Sequence, residues 1–170
     1  MADLTRGRVI AKVRAGESLE GADLSGLDIT GANLSSGDLK RANLKGANLT
    51  GAYLTGTHLE GANLERADLK SARLRSANLS EANLSGAKLV RTDMSGANLS
   101  GANLSDADLS DANLWKANLT GANLLHANLT RALMAMANLK GANLKEADLT
   151  DTKLIKTELN DTILPEGFEE

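Results

Sequence analysis

Aromatic side chains are nearly missing from this chain: among 170 residues there is one Trp, one Tyr and one Phe. Globular cores draw much of their buried area from large rings, so the core here must be assembled from smaller, more uniform side chains. Cysteine is absent, which excludes a disulfide framework and a thiolate metal site and leaves the redox compartment open. Long apolar runs are lacking too. Met1-Ala2-Asp3-Leu4-Thr5-Arg6-Gly7 has no signal-peptide core and no segment approaches a membrane span, so a cytoplasmic protein without membrane contact is the expectation. Neither sign of charge dominates, at a net −3. Residues 1–91 carry 13 basic against 10 acidic side chains, net +3, and residues 92–170 carry 6 against 12, net −6. That asymmetry is too weak for a nucleic-acid-binding stripe, and direct nucleic-acid binding is not expected.

What the chain does have is a repeat. Gly31-Ala32-Asn33-Leu34-Ser35, Gly61-Ala62-Asn63-Leu64-Glu65 and Gly121-Ala122-Asn123-Leu124-Leu125 are copies of one five-residue unit. From Leu19 to Leu164 every fifth residue is Leu, except Ile29, Met94 and Met134. Two residues before each centre stands Ala, with exceptions that include Leu27, Gly37, Thr57, Thr92, Thr152, Thr157 and Thr162. The residue between is mostly Asn or Asp.

A period of five fits neither a straight helix nor a straight strand. It fits a short strand and a corner. Alternate side chains of a strand face opposite ways, so Ala and Leu point inward while the Asn or Asp between them points out. The two residues after Leu turn the chain, and the Gly concentrated there supply positive φ at little cost. Arg41, Arg66 and Glu81 in that column predict that some corners use a different turn. Four units close a square of 20 residues, stacked about 4.8 Å apart. The Asn and Asp column reads as structural, its short side chains bonding to nearby backbone and to the next coil.

The A-[DN]-L-x-x units over residues 17–164 resemble the pentapeptide-repeat proteins, most closely the cyanobacterial type. The resemblance implies an all-β fold, a right-handed quadrilateral β-helix. It implies little about activity. Some members of the family resemble duplex DNA and protect or inhibit bacterial type II topoisomerases, which makes that role the alternative reading for a rod with an acidic half. The small net charge, the interspersed Lys and Arg, and repeats without projecting loops depart from that pattern.

Three segments follow: an N-terminal cap over 1–16, the β-helix over 17–164, and a C-terminal cap or tail over 165–170. Asp3 to Arg14 reads as a short helix with Val9, Ile10 and Val13 on one face and Gly16 at its end. A strand over Arg8–Arg14 is the other reading, since Val9, Ala11 and Val13 alternate. Pro165 ends the ladder, and Phe168 can fold over the last Leu.

Residues 20 apart should share a face, which maps the surface. One face gathers Tyr53, Arg73, Arg75, Trp115, Lys116, Leu133, Met136, Lys153, Ile155 and Lys156, with Trp115, Ala135 and Ile155 in one column. Clustered outward apolar residues mark contact sites, and Trp and Met are favoured in them. This is the candidate protein-contact patch, for an unidentified partner or for self-association. An acidic surface gathers Asp106, Asp108, Asp111, Glu146, Asp148 and Asp151 around His126 and Arg131. It reads as a solvated charge ladder and not as a metal site.

No catalytic residue and no cofactor is expected. His58 and His126 lie on different faces, and the Gly recur as corners, not as a phosphate loop. The expected function is therefore a non-enzymatic scaffold presenting a rigid face.

Overall fold

The computed structural model describes residues 4–168. Its main body is a right-handed quadrilateral β-helix. Each coil takes 20 residues: parallel bridges pair Asp23 with Asn43, Asn43 with Asn63 and Asn63 with Asn83, and this register continues without a slip to Asn143 and Ile163. The bridging residue is the outward Asn or Asp. Its amide donates to the coil before it, as Asn63 N does to Ala42 O at 2.9 Å. The amide of the following Leu donates to the coil after it, as Leu64 N does to Asn83 O at 2.7 Å. Each flat face is so short that the sheet is a stack of single bridges.

The corners are all of one kind. The carbonyl of each central residue accepts from the amide three residues on, as Ile29 O does from Ala32 N at 3.0 Å, and the third residue of the turn has positive φ. Gly31 lies at 63°, where glycine meets no steric cost. Arg41, Arg66 and Glu81 lie at 55°, 55° and 59°. The expectation that such residues signal a different turn is therefore wrong. The ladder overrides local preference, because the amide of each of these residues is held by the neighbouring coil: Arg41 N donates to Glu60 O at 2.9 Å. A left-handed non-glycine residue costs about 1–2 kcal/mol, and continuity of the stack offsets it.

Inside, the central residues from Leu24 to Leu144 are fully buried, Leu84 included, with the Ala column between them. A buried Leu contributes roughly 1.5–3 kcal/mol, and here each is buried only by neighbouring coils, so stability accumulates interface by interface. Thr57 and Thr92 replace Ala at fully buried positions. Their hydroxyls donate to the carbonyls of Leu34 and Leu69 at 2.9 Å, so neither buried hydroxyl is left bare.

The outward Asn and Asp act twice. Their Oδ1 accepts from the amide two residues on, as Asn63 does from Glu65 at 3.1 Å, closing the corner locally. The Asn side-chain amides also bond along the stack: Asn63, Asn83, Asn103, Asn123 and Asn143 each donate to the Asn one coil earlier.

Helix α1, Arg6–Arg14, covers the first coil. Thr5 caps its start by accepting from Arg8 N. Its end is closed by two bonds, Glu17 N to Lys12 O and Gly16 N to Val13 O, around Gly16 at φ 71°. Val9 is fully buried, and Ile10 and Val13 pack on the core. This explains Gly37: a Cβ there would lie 3.0 Å from Leu34 O and 3.2 Å from a Val13 methyl. At the other end, Leu149, Leu154 and Leu159 are only partly buried, and the last central amide bonded to a following coil is that of Leu144, to Ile163 O. Phe168 is half-buried, and its amide donates to Pro165 O. Among the described residues no helix is long and apolar enough to cross a membrane.

Candidate interaction face

The 20-residue coil carries Leu114, Met134 and Leu154 on one face in three successive turns, and the outward residues around them form a continuous surface. Lys116 N donates to Ala135 O at 3.1 Å and Met136 N to Ile155 O at 2.9 Å. These bonds tie the corner of Trp115 to that of Ala135, and the corner of Ala135 to that of Ile155, in one column. Ile155 is 66% exposed, Met136 47%, Trp115 41% and Leu133 38%. The side chain of Lys116 lies over the Trp115 ring, its Nζ 4.4 Å from the centroid. Lys153 and Lys156 sit on the same coil as Ile155 and make no ion pair among the described residues.

Tyr53, Arg73 and Arg75 share the face but sit on earlier coils. Arg73 covers the Tyr53 ring at 4.6 Å. The coil of Asp93 and Ser95 separates them from the Trp115 cluster, and Asp93 lies 3.9 Å from Arg75. The ten residues named from sequence thus form two groups on one face: a tight one over three coils around Trp115 and a looser aromatic–arginine pair further up.

This face gives up structural bonds that the others keep. Of its seven bridging positions, Tyr53, Arg73, Leu133 and Lys153 replace the Asn or Asp that closes the corner. On the other three faces the replacements are His58 and Glu158, Ile163, and Lys88. Losses on a tolerant surface would scatter evenly. These concentrate.

Charge separates by face in the same way. Over residues 18–164 the face of Trp115 holds Arg73, Arg75, Lys116, Lys153 and Lys156 against Asp93, a net +4. The face of Leu119 holds three basic against six acidic side chains, that of Leu124 three against four, and that of Leu129 four against six: net −3, −1 and −2. The halves compared along the sequence hide this, because the segregation runs around the rod.

The acidic surface is partly compensated from within. His126 lies between Asp106 and Glu146, with Nδ1 3.3 Å from one and Nε2 3.0 Å from the other. The carboxylates approach opposite ends of the ring, so they do not converge on a common point as metal ligands must. One corner along, Arg131 makes two bonds to Asp111 at 2.8 and 2.9 Å. The guanidinium lowers the Asp111 pKa below its ordinary value, and the bonds to Asp111 in turn raise that of Arg131, with a smaller contribution from Asp151. Asp108 accepts from the Asn128 amide group at 3.1 Å, and Asp148 accepts from the hydroxyl and amide of Thr150, which lower its pKa. Among the described residues no group of three or more His, Cys, Asp or Glu could hold a metal ion.

Residues 18–46, 47–86, 77–115, 97–134, 107–145 and 132–165 match the sequence model described as pentapeptide repeats, in eight copies. No curated protein matches the chain. Among solved structures, the chain is similar to HetL, a pentapeptide-repeat protein involved in heterocyst differentiation regulation from the cyanobacterium Nostoc. The two are 28% identical over 99% of this chain and 100% of that one, with a TM-score of 0.49. Rfr23 from the cyanobacterium Cyanothece is 40% identical over 57% of this chain and 63% of its own, with a TM-score of 0.49. QnrB1, a plasmid-mediated fluoroquinolone resistance protein, is 20% identical over 88% and 80%, with a TM-score of 0.58.

Proposed function

This chain belongs to the pentapeptide-repeat family, and from that premise we propose that it is a non-enzymatic scaffold whose Trp115 face docks another protein. The observation that carries the reading is the coincidence on one face of exposed apolar side chains, lost corner bonds and a net positive charge. A rigid solenoid suits the role, since its face needs no ordering on binding and forfeits little entropy. Of the segments 1–16 and 165–170, residues 4–16 and 165–168 are read as terminal caps, residues 1–3 and 169–170 lying outside the described residues, and the contact surface is read as belonging to the β-helix alone. A cytoplasmic setting is part of the same proposal.

The test compares the wild type with Trp115→Ser/Met136→Ser by sedimentation and by capture from a bacterial lysate. Loss of captured proteins with an unchanged sedimenting mass supports the reading, and loss of a larger sedimenting species of the pure chain points to self-association through the face instead. An unchanged mass with an unchanged captured set contradicts it. The topoisomerase reading has weaker support, because no face carries a dense acidic array and Lys or Arg interleaves with the acids on each. A supercoiling assay with purified gyrase, unaffected at high protein concentration, eliminates it.

A further inference from the structure

Resting on that reading, we propose that the Trp115 face recognises an acidic amphipathic segment of its partner, one that places apolar side chains on Trp115, Leu133 and Ile155 and carboxylates on Lys116, Lys153 and Lys156. The charge pattern selects the class. Among the described residues ion pairs are common on the other three faces, whereas this one has a single pair, Arg75 with Asp93, and Lys153 and Lys156 have none. An apolar surface rimmed by uncompensated cations is matched by a surface that brings carboxylates and hydrocarbon together. A second copy presenting the same face brings five more cations against one carboxylate, so face-to-face self-association is opposed by repulsion.

The same details argue against other occupants. Stacking bases compete for the ring faces, and Lys116 already takes one face of Trp115 and Arg73 one face of Tyr53. A bilayer taking up Trp115 would have to desolvate the ammonium lying on its ring. On the coils of Trp115 and Met136 the backbone amides of the face are committed to the ladder, so recognition along those coils goes through side chains. Coils repeat about every 4.8 Å and a helix turns every 5.4 Å or so. A helix laid along the rod therefore offers about one side-chain layer per coil across the three coils of the patch.

Trp115 is the only Trp, so its emission reports occupancy directly. The full chain is titrated with a Trp-free amphipathic helical peptide bearing Leu on one face and Glu along its flanks, and with the same peptide carrying Lys for Glu. The Glu peptide is expected to shift Trp115 emission to the blue and to bind at least about tenfold tighter than the Lys peptide, with affinity falling as salt rises. Lys153→Glu/Lys156→Glu should lower its affinity by a similar factor while leaving the thermal midpoint in place. Equal binding of both peptides, no response to the Glu peptide, or a response only to anionic vesicles or single-stranded oligonucleotides overturns the proposal. If lysate capture still depends on Trp115 while the Glu peptide fails, the docking face stands and its acidic partner falls. If capture fails as well, both fall.

Discussion

Leu133 forms a parallel bridge with Asn113 one coil earlier, and it stands where an Asn would continue the ladder. Asn113 accepts from the Trp115 amide at 3.1 Å and donates to Asp93 at 3.1 Å; Leu133 can do neither. Leu133→Asn should therefore make the protein more stable, by about 0.5–1.5 kcal/mol for the restored bonds, while weakening capture of the partner. Urea unfolding and lysate capture on the same variant check the two halves. A destabilised variant, or one with unchanged capture, would show that Leu133 is there for packing alone.

The helical cap gives a second prediction. Gly37→Ala puts a Cβ against Leu34 O and within 3.2 Å of the Val13 methyl, which should cost about 1–3 kcal/mol by crowding. Adding Val13→Ala should recover part of that loss, because the two positions share one contact. Purely additive denaturation midpoints would place the strain in the contacts with the Leu34 carbonyl and the Leu39 methyl, at 3.0 and 3.1 Å, instead.

How much of this was legible beforehand depends on which interactions repeat. A five-residue period with Leu at its centre places every side chain inside or outside, so the coil and the stacking of Trp115, Ala135 and Ile155 could be read from spacing alone. The uniform corner could not. Arg41 and Glu81 contradict the local preference for Gly, and only the bonds from the neighbouring coil explain why they adopt the same φ. Gly37 was an unexplained exception in the Ala column until Val13 appeared beside it. The inward Thr were equally opaque, since their acceptor carbonyls lie 23 residues back. Charge was visible but was sorted along the chain, when its order lies around the rod.

Stability should grade along the solenoid. Leu84→Ala, in the middle, should cost about 2–5 kcal/mol, whereas Leu159→Ala at the partly exposed last coil should cost clearly less. Hydrogen exchange gives the parallel test: the amides of Leu149, Leu154 and Leu159 should exchange well before those of Leu104 and Leu124, which donate to a following coil at 2.7 Å. Uniform exchange along the rod would mean that it opens as one unit.

Acid should weaken the fold through its corner carboxylates. Asp23, Asp28 and Asp148 have pKa values below the ordinary 3.8, chiefly because a neighbouring Ser or Thr side chain and amide donate to the ionised form. A native pKa below the unfolded one means that the unfolded chain binds more protons in between. The contribution is thus complete well above 3.8 and is lost as pH falls through the lowered native values. Replacing all three by Asn keeps an acceptor Oδ1 but removes the titration. The thermal midpoint of the triple variant should then fall less than the wild type's between about pH 5 and about pH 2.

The most direct test of the docking face uses the absence of cysteine. Ala135→Cys places a unique thiol at the centre of the patch, and Ser85→Cys places one on the opposite face for control. Each is labelled with a thiol-specific photocrosslinker and irradiated in lysate. Discrete protein adducts from position 135, absent from position 85, are the predicted result. Adducts that are equal at the two positions, or missing at 135, would contradict the account.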